Sequence, residues 1–453
     1  MKFTSNKIFI ITLLILISFA FFTKKSWEIR KEYPYQFKYD SDINQFYSYL
    51  PAGIINKDLT FKYKNKRGYW LTKNKNGNHL PRTTMGMSIM YSPFFFIGHF
   101  VALNSNYEPD GYSLPYSISL KIGTYVYVIL ALYLLYLSLL YFFKPIISAV
   151  SIIVIFLGTN LFYYTLSEGE MSHSYLFLLF SALIYLTIKW HDNQKNRYLF
   201  ILAFILGLSV LIRPTSIVVV LFPLFYGESV KDKLKLLKAN YRQLLVAIPI
   251  FLFPIFFQLL YWKIYGGNWV IYSYSDEQFY FLNPHIFDFL FSYRKGWLLY
   301  TPLMLLAIFG ILKLNKKVKS MRFSIPLILF LAVYILSSWW SWWFGGSLGS
   351  RVMVEFYAFL IFPLAASITH FIKIKFVNIA LVFFLSFCIF FNLLATYKSV
   401  WHQLHWDSMS KESFRITFST LNMNDIEKEK YEKALKPPDN EFAKKGLEER
   451  EEF

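Results

Sequence analysis

Five short clusters of polar residues interrupt this apolar chain, and their side chains are of the types that perform chemistry. They are Asp40-Ser41-Asp42, Glu168–His173, Arg213-Pro214-Thr215, Ser292–Gly296 and Trp339–Arg351. Carboxylates and histidine exchange protons, whereas arginine and lysine bind phosphate groups. When the apolar segments are threaded back and forth through a membrane, all five clusters fall on the same side. The sequence therefore predicts one active or binding site on that face.

The apolar segments themselves predict an all-α polytopic membrane protein. Of the 453 residues, 55% are hydrophobic, and apolar runs long enough to cross a bilayer as helices recur along the chain. These runs do not alternate in polarity, as barrel strands would. About eleven transmembrane helices are expected, at 7–23, 120–142, 146–164, 173–189, 198–212, 214–228, 243–262, 297–313, 323–341, 352–371 and 376–396. The pair around Arg213-Pro214 is short and interrupted by proline, so a re-entrant or broken element is the alternative there.

The net charge of +19 is placed as in a membrane protein, which argues against nucleic acid as a partner. Lysines and arginines concentrate in alternate short loops, where the positive-inside rule puts them, and where they also favour anionic lipids. The predicted inside loops carry Lys144; Lys189, Lys195 and Arg197; Lys231, Lys233, Lys235, Lys238 and Arg242; Lys313, Lys316, Lys317, Lys319 and Arg322; Lys373 and Lys375. We expect a multi-pass protein of the inner (cytoplasmic) membrane, with its N-terminus cytoplasmic and its polar clusters extracytoplasmic.

Two regions outside the predicted helices are large. Residues 1–396 form the predicted transmembrane domain, which includes an extracytoplasmic loop at 24–119, and residues 397–453 form a charged extracytoplasmic tail. Within the loop, the stretch from Met85 to Leu103 contains Pro93 and Gly98, and an interfacial helix is expected there rather than a span. The end of the tail is highly charged, which predicts a solvated and partly disordered segment. The single cysteine, Cys388, excludes disulfides and cysteine-based metal sites.

Asp42 admits two compatible interpretations. The apolar residues of the stretch 43–50 recur at i, i+3, i+4 and i+7, which predicts a short amphipathic helix. Asp42 would be its N-cap, and Gln45 would complete a capping box. The same carboxylate at a membrane surface can accept a proton from an acceptor hydroxyl. Spacing alone does not separate the two.

The next two clusters also have an ordinary and a functional interpretation. Glu168, Glu170 and His173 occupy a short loop, where capping by a neighbouring serine would be the ordinary reason for polarity. Two carboxylates and a histidine with no adjacent cation favour a site that positions a substrate. Arg213 lies at the end of an apolar run, where it must snorkel to the interface or pair with an anion such as phosphate.

Arg294, Lys295 and Arg351 are cations on the predicted outside face, where the positive-inside rule disfavours them. A phosphate group would account for them, and contact with lipid headgroups is the alternative. The glycines at 345, 346 and 349 allow the backbone to approach a ligand closely. The tryptophans at 339, 340, 342 and 343 are typical of an interfacial belt, although they can also stack on a sugar or a prenyl chain.

Several stretches resemble the GT-C superfamily of membrane glycosyltransferases, which includes protein O-mannosyltransferases and the aminoarabinose transferases of lipid A. They are Ser41-Asp42 with the aromatic-rich stretch to Tyr49-Leu50-Pro51, then Met85-Gly86-Met87 running into Ser92–Phe95, Asp110–Ser113, and Gly345–Arg351. The later stretches are similar to uncharacterised bacterial members. The resemblance spans most of residues 35–410, and the order and sidedness of the stretches carry it.

The resemblance implies a GT-C-like fold with interfacial helices in its first outside loop, and a glycosyltransferase activity. The donor would be a polyprenyl-phosphate sugar, and the acceptor an envelope lipid, glycan or protein. In that superfamily an acidic residue of the first outside loop is the catalytic base, and Asp42 is the position that matches. Asp40 would assist or bind a metal, although a lone Asp-x-Asp is poor evidence for a metal site. No cofactor is predicted, and a divalent metal stays open.

The main alternative is a transporter or a flippase for lipid or polysaccharide. Such a protein needs ionisable residues near the membrane midplane. The cores of the predicted spans are apolar, and Glu355 lies near an outer end. These observations favour the transferase, with a non-catalytic scaffold as a third possibility.

Overall fold

The computed structural model describes residues 42–61, 71–73, 77–227, 229–314 and 318–447. Its α-helices are α1 Asp42–Leu50, α2 Gly86–Leu103, α3 Leu114–Leu139, α4 Pro145–Leu157, α5 Leu161–Leu166, α6 Ser172–Asn193, α7 Asn196–Ile212, α8 Leu221–Phe225, α9 Val230–Ala239, α10 Tyr241–Tyr261, α11 Ile286–Phe291, α12 Trp297–Tyr300, α13 Leu303–Ile311, α14 Ser324–Ser337, α15 Tyr357–Phe371, α16 Val377–Val400, α17 Lys411–Ser419, α18 Asp425–Ala434 and α19 Asn440–Lys444. Short 3-10 turns occupy Pro214–Val220, Lys319–Met321 and Arg351–Met353, and π turns occupy Pro51–Ile55 and Trp262–Gly266.

The helical class is confirmed, with one small departure. Strands β1 (Leu71–Lys73) and β2 (His79–Pro81) form an antiparallel pair within the predicted outside loop. Within the described residues, six helical segments are long and apolar enough to cross a membrane. They are Gly86–Leu103, Leu114–Leu139, Ser172–Asn193, Tyr241–Gly266, Lys319–Ser337 and Val377–Val400. The predicted helix at 7–23 lies outside the described residues, and the count of eleven stays a prediction.

Proline and glycine explain where predicted spans become shorter pieces. The span expected at 146–164 divides at Gly158 into α4 and α5, and the one at 297–313 divides at Pro302 into α12 and α13. The segment after Pro214 is a 3-10 turn followed by the five-residue helix α8. This segment is therefore a broken element, which was the predicted alternative to two full spans around Arg213-Pro214.

Two expectations about the outer regions change. The apolar stretch after Met85 is a continuous 18-residue helix through Pro93, so its length and composition suffice to span a membrane as well as to lie along one. The tail is not a partly disordered segment through residue 447. Helices α17 and α18 begin with capping boxes at Ser410 and Asn424, and Tyr431 is buried.

The chain divides into two compact units. The first comprises Met1–Leu134, Glu168–Val220 and Leu234–Ser275, and the second comprises Leu135–Ser167, Leu221–Lys233 and Asp276–Phe453. In the first unit, α7 packs against α10 so closely that a Cβ at Gly207 would lie 2.0 Å from the Phe251 carbonyl oxygen. In the second unit, a Cβ at Gly310 of α13 would lie 1.8 Å from the Pro363 carbonyl oxygen of α15. Glycine is what permits both close helix contacts.

Candidate functional site

The predicted site residues divide between the two units. In the first unit, Glu170 precedes α6 and its carboxylate is nearly fully buried, with Oε2 3.7 Å from Nζ of Lys121 on α3. The Tyr91 hydroxyl donates a hydrogen bond to the Glu170 carbonyl, and the Thr124 hydroxyl donates to the Gly169 carbonyl at 3.1 Å. The turn that carries Glu170 is thus fixed by α2 and α3. A buried, paired carboxylate is the result.

His173 and Arg213 are brought together on the same side of this unit. Arginine Nη1 lies 3.4 Å from histidine Nδ1, and His173 is 1% exposed. Because arginine only donates hydrogen bonds, Nδ1 of His173 is the acceptor in this contact. Arg213 therefore has a protein partner, which accounts for it more specifically than snorkelling does.

Simple helix capping does not account for the Glu168–His173 cluster. The N-cap of α6 is Met171, which makes no side-chain cap hydrogen bond. Glu168 is half-buried beside the buried Glu170. The cluster is thus polar for a reason other than capping.

The structure describes α1 from Asp42 onward, and Asp40 lies outside the described residues. Gln45 Oε1 accepts a hydrogen bond from the Arg82 backbone N–H at 3.1 Å, which connects α1 to the segment after β2. The helix is also buried all round, since every residue from Ile43 to Leu50 is buried. Its first turn, which has the positive end of the helix dipole, suits a carboxylate.

Three buried polar atoms near α1 were not singled out by the sequence. Asn44 Oδ1, Gln45 Nε2 and Thr83 Oγ1 make no hydrogen bond with any described residue. The Tyr49 hydroxyl donates to the Thr83 carbonyl at 2.8 Å, which fixes the Thr83 backbone beside the helix. A buried polar atom without a partner costs about 1–3 kcal/mol. Such atoms are suited to bind hydroxyl groups of a ligand.

In the second unit, Lys295 is held in a tight turn between α11 and α12. The Ser292 hydroxyl oxygen accepts from the Arg294 N–H at 2.8 Å, and a Cβ at Gly296 would lie 2.5 Å from the Ser292 carbonyl oxygen. Lys295 is 1% exposed, and its ammonium donates to the carbonyls of Ser347 and His405. One buried lysine thus joins the glycine-rich loop to the segment after α16.

Of the four cations predicted to bind phosphate, the three in the second unit lie within electrostatic reach of Lys295 or are Lys295 itself. Burial lowers the pKa of Lys295 to about 7; Asp407 opposes this shift, whereas Arg294 and Arg351 add to it. Arg294 is 7% exposed, with its guanidinium 5.2 Å from the Trp343 ring centroid. Two arginines and a lysine thus lie together, and Asp407 is the carboxylate that acts on the lysine.

The loop that carries Arg351 has a fixed backbone. Gly345 and Gly349 have φ of +61° and +59°, a conformation that favours glycine. The Leu348 carbonyl accepts from Asn160 Nδ2 at 2.8 Å, and its N–H donates to the Tyr164 hydroxyl at 3.2 Å. The backbone of the loop is therefore held in place by contacts that do not involve the Arg351 side chain.

His405 and Asp407 also belong to this cluster, although both lie in the predicted tail. His405 Nδ1 accepts from the backbone N–H of Ser408 at 3.1 Å and lies 3.3 Å from Asp407 Oδ1. Burial lowers the pKa of His405, whereas Asp407 opposes this shift. No pattern in the sequence indicated these two residues, whereas Lys121 was detectable as a lysine inside a predicted span.

A metal site finds no support in the part of the chain that the structure describes. Those residues contain no group of three or more His, Cys, Asp or Glu side chains that could hold an ion. Asp40 lies outside that part.

Comparisons with known proteins return little. No protein-family model matches this chain, and no curated protein matches its sequence. Among solved structures, it is similar to the archaeal oligosaccharyltransferase AglB from Archaeoglobus fulgidus, in complex with an inhibitory peptide and a dolichol-phosphate. The identity is 14% and the TM-score 0.46, over 85% of this chain and 55% of that one, so this chain spans about half the length of its match. Because the TM-score is below 0.5, no residue role is transferred.

Proposed function

We propose that this chain is an integral-membrane glycosyltransferase that moves a hexose or pentose from a polyprenyl-phosphate donor to an envelope lipid, glycan or protein. The observation that carries the proposal is the cluster of Arg294, Lys295 and Arg351 in the second unit. Cations from two separate segments gather around a nearly fully buried lysine, with one carboxylate among the groups that shift its pKa. A phosphate group is the ligand that such a cluster favours.

The reaction would be a single displacement with inversion at the anomeric carbon. The acceptor oxygen would lose its proton to a carboxylate base and attack the anomeric carbon, while the bond to the phosphate oxygen breaks; Asp42 is the base that the resemblance implies. The lipid phosphate leaves with the bonding electrons, and Arg294, Lys295 and Arg351 stabilise its charge. Binding of the prenyl tail would supply energy away from the reacting centre.

The remaining residues would position substrates. Glu170 and His173, with Glu168 beside them, would bind hydroxyl groups, and Asp40 would assist Asp42. The unpartnered atoms of Asn44, Gln45 and Thr83 support a hydroxyl-bearing ligand near α1. For Arg213, contact with His173 offers a positioning role beside the phosphate role.

Mass spectrometry of the cell envelope tests this function. A deletion strain should lack one sugar modification on its envelope glycans, lipids or proteins. Wild-type protein should restore it, as should Arg415→Gln, which changes an exposed arginine of the same unit. Arg294→Gln and Arg351→Gln should not restore it. An unchanged envelope in the deletion strain would argue against a transferase.

A transporter or flippase has one observation in its favour, the buried pair between Lys121 of a candidate span and Glu170 of the turn before the next one. Charged pairs in spans are typical of transport pathways. Flux of a fluorescent polyprenyl-phosphate lipid across proteoliposomes, without release of polyprenyl phosphate, would support that alternative over the transferase.

A further inference from the structure

A cavity of about 250 Å³ opens at the C-terminal ends of α13 and α15, within the second unit. It is lined by Leu312, Lys313, Ala366, Thr369, His370 and Lys373. Just before it, the two helices are in close contact, because Gly310 lies against the Pro363 carbonyl and the Ser367 hydroxyl donates to the Leu306 carbonyl at 2.8 Å. The helices therefore separate only at their ends, where two lysines and a histidine face the opening.

Helix capping does not explain these cations. The last carbonyls of α13 already accept from backbone N–H groups, at 3.1 Å for Phe309 and 2.9 Å for Gly310. In α15 the Ile368 carbonyl accepts from Ile372 N–H at 3.0 Å. The lysines are thus available for another ligand. Lys313 lies along the Phe309 ring at 5.2 Å from its centroid, which holds its stem against the helix.

We propose that this cavity binds the headgroup of an anionic phospholipid. Basic pockets between membrane helices on the cytoplasmic side are suited to such headgroups, and both loops here belong to the predicted inside face. Leu312 is 79% exposed and Ile372 49% exposed beside the cavity. These side chains would contact acyl chains, which favours a lipid over a free anion. The site is independent of the proposed transfer reaction.

The test is a lipid titration of the detergent-solubilised full chain, followed by its thermal unfolding. Phosphatidylglycerol should raise the Tm at lower concentration than phosphatidylcholine does. Lys313→Gln/Lys373→Gln should weaken the phosphatidylglycerol effect about thirtyfold, and Lys313→Arg/Lys373→Arg should restore it. The control Lys144→Gln/Lys375→Gln removes two exposed lysines that do not line the cavity, and should bind as wild type does.

Three results would overturn the proposal. An equal rise in Tm with phosphatidylglycerol and with phosphatidylcholine would show that the wild-type protein does not prefer an anionic lipid. Unchanged phosphatidylglycerol binding by the double glutamine variant would show that the lipid does not bind in this cavity. Stabilisation by inorganic phosphate that matches the lipid, and that depends on the same lysines, would indicate a free-anion site instead.

Discussion

Lys295 is the residue on which the proposed phosphate site depends most. Its ammonium is nearly fully buried, and burial lowers its pKa to about 7. Two carbonyl oxygens accept its hydrogen bonds, which partly replaces the lost water. A bound phosphate would favour the protonated form and raise this pKa. Phosphate binding should therefore be coupled to proton uptake near neutral pH.

This coupling predicts a pH dependence of donor binding. Below pH 7 Lys295 is protonated and binds the anion well; as pH rises through 7 the free protein loses this charge, so affinity falls. If binding raises the pKa by about one unit, affinity should fall about tenfold between pH 6 and 9. The measurement is binding of a polyprenyl phosphodiester, which does not itself titrate in this range.

Lys295→Met is the control for that prediction. It keeps most of the apolar volume and removes the titrating group, so binding should be weak and independent of pH. A wild-type affinity that stays constant from pH 6 to 9 would show that Lys295 does not contact the phosphate.

Arg351 gives a second prediction at this scale. Arg351→Lys keeps the charge but loses the planar fork that binds phosphate with two hydrogen bonds. Donor binding and activity should fall about tenfold or more. Arg415→Lys, an exposed arginine of the same unit, should show no loss. Equal activity of Arg351→Lys and wild type would mean that Arg351 only contacts lipid headgroups.

At the scale of elements, the Lys121–Glu170 pair connects α3 to the turn before α6. Lys121→Met removes the cation beside a buried carboxylate, which should destabilise the fold by about 3–5 kcal/mol. Lys121→Met/Glu170→Gln removes both charges and should recover most of that stability. Unfolding in detergent measures both variants, with Lys144→Met as the exposed control. Unchanged stability of Lys121→Met would mean that the pair is not structurally important.

Much of the helical plan was predictable because apolar runs of sufficient length have few alternatives in a membrane. Helices α6, α7, α10 and α16 lie within a few residues of their expected positions. Contacts between residues distant in sequence were not predictable. Gln45 of α1, for example, accepts a hydrogen bond from the Arg82 backbone N–H, and Lys295 donates to the His405 carbonyl.

At the scale of the whole molecule, the sequence predicted the types of site residue better than their partners. The positive-inside rule disfavours Arg294, Lys295 and Arg351 on the outside face, so the sequence indicated that these cations bind a ligand. The structure brings the three residues together. The sequence could not indicate Asp407, because the role of this residue depends on how the chain folds back after α16. It also missed Lys121, because an apolar run tolerates one lysine without losing its hydrophobic character.

Topology is a prediction at this scale. Reporter fusions at about residues 236 and 317 should be cytoplasmic, because the loops around them are the most basic. A fusion at about residue 169 should be exported. A cytoplasmic signal at 169 would separate the carboxylate cluster from the extracytoplasmic face, and the proposed site could not exist.

The most direct test of the proposed function is sugar transfer by purified protein. The assay supplies a labelled polyprenyl-phosphate hexose or pentose and an envelope extract of the deletion strain, and measures labelled product and released polyprenyl phosphate. Wild-type protein should produce both. Asp42→Asn should lose on the order of a hundredfold in turnover while it remains folded, since the change at the first residue of α1 costs only about 0.3–1 kcal/mol.

Asp425→Asn, at the first residue of the exposed helix α18, is the matched control and should retain full transfer. Near-normal transfer by a stable Asp42→Asn protein would contradict the catalytic role of Asp42. Absence of both products with wild-type protein would contradict the transferase itself.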